Sequence, residues 1–249
     1  MTDVRTELAQ ADQAFSGNRL LSTFGADDRG LIEPFGEMVD LRVDETVLHR
    51  GDQVRSSLFP IEGTTVSMAV EMSDGRTVEV ASIGREGAVG GIVSCGHAPA
   101  FSSAKVLIDG PAFRVPMKVL EEAKRSSTFV DNIFCRFSDY LLAQVMQSAA
   151  CNALHSIQQR AARWLLHMQD RAGDRIELTQ EALAGLLAVQ RTTVNAVVRS
   201  LQDERLVRVG RGVVHVTDRA GLKRHACECY RSLGDHFDAV IGTSGQGGA

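Results

Sequence analysis

The spacing of apolar positions changes twice along the 249-residue chain. Between Glu37 and Pro116 the runs are short and β-type, and Val66, Met68 and Val70 fall on every second residue, which buries one face of a strand. Strands are predicted over Met38–Val43, Thr46–His49, Ser57–Glu62, Thr64–Glu71, Thr77–Ile83, Ala104–Ile108 and Ala112–Val115. Turn-forming residues separate them at Arg50-Gly51-Asp52, Ser73-Asp74-Gly75, Gly84 to Gly91 and Asp109-Gly110. Many short strands at regular spacing predict a small antiparallel barrel or roll. Ahead of it, two short helical pieces are expected from Asn18 and from Asp27, and residues 1–17 read as a flexible segment or loose helix.

No proline follows Pro116, and the period becomes helical. Met117–Lys124 predicts a short helix. Ser126, Ser127 or Thr128 then caps a long one reaching about Asn152. Val130, Ile133, Phe137, Tyr140, Leu141 and Val145 keep near-heptad spacing along it. Such a stripe is expected to form a dimer seam, the alternative being a helix that lies on its own domain. Leu154-His155-Ser156 interrupts the pattern, and Ser156 caps a further helix, Ile157–Arg171, with Trp164, Leu165 and Met168 inward.

The stretch Leu178–Val216 carries the most specific pattern. Thr179 suits an N-cap, and Leu183, Leu186 and Leu187 recur at helical spacing before a break at Ala188-Val189. Val194, Val197, Val198 and Leu201 then share one helix face, with Arg191, Thr192, Asn195, Arg199 and Gln202 opposite. Two short helices joined this tightly, the second polar and basic outside, predict a helix-turn-helix. A hairpin turning at Gly210-Arg211-Gly212 follows as a wing. Asp218 is placed to cap a last helix running to about Leu233, and the Gly/Ser-rich tail is expected to be flexible.

The charge distribution adds a partner. The chain carries −4 overall, but −7 over Met1–Leu154, +5 over His155–Arg231 and −2 beyond. A basic block behind an acidic one fits a DNA-binding domain attached to one with another task. Five scattered cysteines argue for a reducing cytoplasm, and neither a membrane span nor a secretory signal is visible. Double-stranded DNA is therefore the expected partner, with no membrane.

Within the helix-turn-helix, Gln190, Arg191, Thr192, Thr193 and Asn195 open the second helix, where side chains reach base edges. Arg191 suits guanine and Asn195 adenine. A cation at a helix start opposes the macrodipole, so an acceptor on DNA would supply the missing anion for Arg191. Thr179, Gln180, Arg199 and Arg211 are phosphate candidates.

The order of these elements resembles the Crp/Fnr family of bacterial transcription regulators. Leu58-Phe59-Pro60-Ile61-Glu62-Gly63, the turn Gly84-Arg85-Glu86-Gly87 and Leu178–Val194 carry the likeness, which covers about residues 18–232. Ala150–Ser156 with Arg160–Leu166 resembles one branch of the family. The resemblance implies a homodimer whose roll responds to an effector, with RNA polymerase as a further candidate partner. It also implies a pocket around Gly84, Arg85, Glu86, Gly90, Gly91, Ser102 and Ser103. The family's ribose-binding Gly-Glu pair falls on Gly90-Gly91, and its phosphate-binding Arg-Ser pair on Ser102-Ser103. Carboxylate and guanidinium are both missing, with Arg85-Glu86 as shifted substitutes in the alternative alignment, and Val145 and Met146 lie near the positions of the adenine-contacting hydroxyls. The expectation is therefore a different small effector or an empty pocket rather than cyclic AMP in the usual mode. In the reading helix, Arg191 fits the family's guanine-reading arginine, but its glutamate falls on Thr192 and its second arginine on Ala196.

The cofactor is left open. No cysteine precedes Cys95, which excludes an N-terminal iron–sulfur motif. Haem through Cys95 or His97 is not expected. Cys227 and Cys229, two apart on the predicted last helix, point to different faces, so no metal is expected there, and Cys135 and Cys151 read as packing residues. No catalytic constellation is present, so an enzyme is not expected. The predicted class is α+β: an antiparallel β-roll over 18–117, a short helix and long dimerisation helix over 118–153, a winged helix-turn-helix over 154–233, and a flexible tail over 234–249. The rival function is a small-molecule sensor module that acts through protein contacts.

Overall fold

A computed structural model describes residues 12–61, 63–91 and 99–242. Two compact units result: residues up to 68, 82–142 and from 237 form one, and residues 69–81 and 143–236 the other.

The first unit is built from the short β-type segments read in the sequence. β1 (Glu37–Leu41), β7 (Gly110–Pro116) and β3 (Ser56–Pro60) make one sheet in the order β1-β7-β3, antiparallel throughout. A second sheet runs β2 (Thr46–Leu48), β6 (Ser103–Ile108), β4 (Thr65–Glu71) and β5 (Thr77–Ile83) in the order β2-β6-β4-β5. Leu41, Leu58, Val66, Ile83, Val106 and Ala112 pack together inside the roll. A larger core follows on the helical side, where Phe59 and Phe24 meet Phe134 edge to face and Phe15 meets Phe113.

Residues 12–17 are helical (α1), with Ala14 and Phe15 buried, so this part of the expected loose N-terminus is core. A two-residue apolar contribution in a polar stretch gives too weak a period to read. Asn18, fully buried, closes the junction: its Nδ2 donates to the carbonyls of Pro60 (2.8 Å) and Gly87 (2.9 Å), and its Oδ1 accepts from the amides of Leu20 and Leu21. With its hydrogen-bonding groups met, a buried amide is tolerated. α2 (Ala26–Gly30) follows.

α3 (Met117–Ser126) starts directly after β7, and α4 (Thr128–Leu154) follows. Of the three candidate caps, Ser127 acts: its Oγ accepts from Val130 N at 3.2 Å and donates to Asp28. Val130, Ile133, Phe137 and Tyr140, expected at a dimer seam, are buried in this unit's own core, and Leu141 packs beside the roll interior. Their spacing serves the chain's own core, as in the alternative reading. Val145 is exposed, as are Leu142 and Met146.

In the second unit, α5 (Ile157–Ala172) begins with a full capping box between Ser156 and Gln159. Trp164, Leu165 and Met168 are buried, as expected. β8 (Arg175–Glu177), α6 (Gln180–Leu187), α7 (Arg191–Asp203), β9 (Val207–Gly210) and β10 (Val213–Val216) follow, the strands pairing in the order β8-β10-β9. The predicted single last helix is two: α8 (Arg219–His225), capped by Asp218, and α9 (Cys229–Val240), with Ala226 extended between them. α9 carries on into the expected tail as far as Val240, and Phe237 and Ile241 are buried in the first unit's core. A lone Gly234 inside a helix disguised it. Cys95 and His97 lie outside the described residues, and among those described no helix is long and apolar enough to cross a membrane.

Candidate nucleic-acid interface

Thr179 caps α6, its hydroxyl accepting from Ala182 N at 3.0 Å. Leu183, Ala184 and Leu187 bury one side of α6. The chain then turns at Ala188, whose φ of 53° and ψ of 45° are left-handed. An L-residue other than glycine rarely adopts this conformation. α7 begins three residues later, burying Val194, Val198 and Leu201 against the unit. Behind the pair, Arg160 of α5 donates to the Leu187 carbonyl at 2.7 Å, and burial depresses its basicity.

The opposite side of α7 is free of packing. Arg191, Thr192, Thr193, Asn195, Ala196 and Arg199 are exposed, and Gln190 at the N-cap makes no side-chain capping bond. Arg211 is exposed at the wing turn, beside Gly212 at a φ of 72°. Leu178 N donates to the Gly212 carbonyl at 2.9 Å, which pins the wing to the start of α6. Thr179, Gln180 and Arg191 thus line one cleft with Val209, Gly210 and Gly212. The structure therefore brings the start of α6, the start of α7 and the wing to one face.

One premise from the sequence needs correcting. Arg191 does have an anionic neighbour, since the Glu181 carboxylate stands 3.6 Å from it. Both side chains are largely exposed, so the pair is weak and leaves Arg191 able to exchange partners. The i−10 separation across a turn hid it. β8 was also missed, because three residues after Gly173-Asp174 carry no period.

The roll positions are placed differently from an open pocket. Glu86 folds back to accept from Gly84 N at 3.0 Å, and the Arg85 carbonyl accepts from Arg19 N. Gly87 lies so close to the Phe137 ring that a Cβ there would overlap it. At Gly90, φ is 93° and a Cβ would come 2.8 Å from the Ser56 carbonyl oxygen. Gly91, at a φ of 67°, faces the Met117 thioether, which a Cβ would overlap. Ser102 is buried, and Ser103 Oγ accepts from Arg50 N at 3.2 Å.

The cysteines depart furthest from expectation. Cys227 and Cys229 do not share a helix, because the α8–α9 break lies between α8 and Cys229. They meet Cys151 in a buried cluster beside His155.

Residues 159–225 match the family of Crp-like helix-turn-helix domains. The HTH-type transcriptional regulator Cmr of Mycobacterium tuberculosis is 40% identical over 52 residues, which are 21% of this chain and 21% of that regulator. The matched stretch thus spans about a fifth of that relative's length. Among solved structures, FixK2 of Bradyrhizobium japonicum superposes with a TM-score of 0.66 at 18% identity, covering 77% of this chain and 98% of that one. A CRP-family transcriptional regulator of Thermus thermophilus gives 0.61 at 20% identity, covering 76% and 96%. An antiparallel roll, a long helix and a C-terminal helix-turn-helix define the fold class that these structures share. The chain thus carries a Crp-like helix-turn-helix domain over residues 159–225 and shares the fold of these Crp/Fnr-type structures.

Proposed function

We propose that the protein acts as a homodimer that reads a pseudo-palindromic duplex site, inserting α7 of each subunit into successive major grooves. The exposed polar start of α7 beside Arg211 of the wing carries this reading. Arg191 and Asn195 are the base readers, with Thr192 and Thr193 at the same end. Thr179, Gln180, Arg199 and Arg211 hold phosphates, the first two through the amide end of α6. Half-sites about one helical turn apart follow from twofold symmetry. The exposed Leu142, Val145 and Met146 of α4 supply the seam, since the other stripe residues are consumed in the core.

The roll controls this output through an effector other than cyclic AMP bound in the usual mode. The place of the ribose carboxylate is filled from inside by Met117, and no guanidinium stands at Ser102. The setting is the bacterial cytoplasm, with RNA polymerase as a partner at promoters.

A salt titration of duplex binding tests the reading. Six or more phosphate contacts predict an affinity loss of about a thousandfold or more between 50 and 200 mM salt. A flat salt response would favour the rival, a sensor module that contacts protein.

A further inference from the structure

We propose that Cys151, His155, Cys227 and Cys229 bind one zinc ion in a closed site of three thiolates and one imidazole. Cys151 and His155 lie four residues apart at the end of α4, on one side of the helix. His155 N still donates to the Cys151 carbonyl at 3.1 Å, so the last turn holds that spacing. Cys227 and Cys229 come from the α8–α9 junction. There the extended Ala226 lets the chain turn both sulfurs inward.

The distances suit a single tetrahedral ion. All four donor atoms lie within 4.8 Å of one another. Cys151 Sγ is 3.6 Å from Cys227 Sγ, and Cys229 Sγ is 3.5 Å from His155 Nδ1. Bonds of about 2.3 Å to sulfur and about 2.0 Å to nitrogen give tetrahedral edges of roughly 3.8 and 3.5 Å. A spread this small has room for one ion and none for a multi-iron cluster.

The surroundings are those of a ligated set. His155 turns Nδ1 to the sulfurs and sets Nε2 3.3 Å from the Glu228 carboxylate, the outer contact that orients a metal-bound imidazole. Gln147 donates to Cys229 Sγ at 2.9 Å, a contact that fixes the direction of the sulfur. Three sulfurs that converge in a buried space gain little from one another unless a cation joins them. Soft sulfur donors select zinc over magnesium or calcium. A disulfide between Cys151 and Cys227 would leave Cys229 and His155 without a role. Four protein ligands leave no open position, which assigns the ion to structure rather than to catalysis. It would staple the end of α4 to the α8–α9 junction across the turn that leads into α5.

The test uses the full chain purified without chelators under nitrogen. Mass-spectrometric metal analysis should find about one zinc per chain. After stripping, cobalt(II) should give thiolate-to-cobalt charge-transfer bands and strong tetrahedral ligand-field absorption. Cys229→Ser and His155→Ala should each lose the stoichiometric ion, and Cys135→Ser, at an exposed thiol, should keep it. Because ligand variants can fail to fold, the wild-type cobalt spectrum decides independently. Absence of both bound zinc and the cobalt bands in wild type would overturn the proposal. So would a Cys151–Cys227 disulfide in the anaerobic protein, or stoichiometric iron and sulfide.

Discussion

Arg160 of α5 donates its guanidinium to the carbonyl of Leu187, the last residue of α6, at 2.7 Å. The bond joins a buried cation to the negative end of the first helix of the helix-turn-helix, and so fixes where that helix stops. Arg160→Ala leaves a carbonyl unmet and should cost about 1.5–3 kcal/mol. Urea unfolding should show the lower midpoint. Duplex affinity should fall with it, because the approach of α7 depends on that stop. An unchanged midpoint would mean the carbonyl finds water instead.

Arg191 should contribute selectivity as well as affinity. Arg191→Ala is expected to lose about 1–3 kcal/mol of discrimination at one base position. Competition binding against duplexes altered base by base measures it. An even loss over all sequences would make Arg191 a phosphate contact. Glu181→Ala, which removes the exposed partner at 3.6 Å, should leave the selectivity in place.

The strands were legible because short β-type runs are separated by turn residues such as Gly51, Gly75, Gly84 and Gly110, with alternation added in Thr64–Glu71. The predicted Thr77–Ile83 is β5 itself, and the other six predicted strands lie within a few residues of the observed ones. The helix-turn-helix was legible because Val194, Val198 and Leu201 repeat on one face. What failed is equally local. Nothing in Ala226-Cys227-Glu228 breaks a helix by propensity, so the α8–α9 junction showed no punctuation. Its shape follows from burial of Cys227 against Cys151, a contact over 76 residues that periodicity cannot register. The heptad-like stripe of α4 misled for a related reason, since an apolar helix face looks alike whether a partner or the chain's own sheet covers it.

Leu142→Glu combined with Met146→Glu should produce monomers. Both side chains are more than half exposed, so the folded subunit has little to lose from the change. Sedimentation velocity should show half the wild-type mass at an unchanged circular dichroism spectrum. A dimer that persists would place the seam elsewhere.

His167 sets an acid limit on the second unit. Burial, and then the charges of Arg171 and Arg163, push its imidazole down to about 3, while the ring packs on Tyr230 with a centroid distance of 5.1 Å. Folded His167 is therefore neutral where an unfolded one would take a proton. The contribution is fully present above about pH 6.5 and is lost as pH falls toward 3, at no more than about 1.4 kcal/mol per unit. His167→Gln should flatten the dependence of Tm on pH between about 6.5 and 4. An identical slope in the variant would assign the acid sensitivity to other groups.

Restoring the two missing family side chains should not restore cyclic AMP binding. Gly91→Glu meets the Met117 thioether at a φ of 67°, so the double variant Gly91→Glu/Ser102→Arg should unfold at a lower temperature. Calorimetry should give no heat with cyclic AMP. Binding by the double variant would show that Met117 moves aside.

Ala188 holds a left-handed conformation that costs an L-residue roughly 1–2 kcal/mol. The local sequence therefore does not choose the turn between α6 and α7. Packing of Leu187 and Val194, and the grip of Arg160, impose it from outside. A segment spanning only α6 and α7 would relax out of this shape, so the reading head is not a portable cassette. Grafted onto another scaffold, it would have to bring α5 with it.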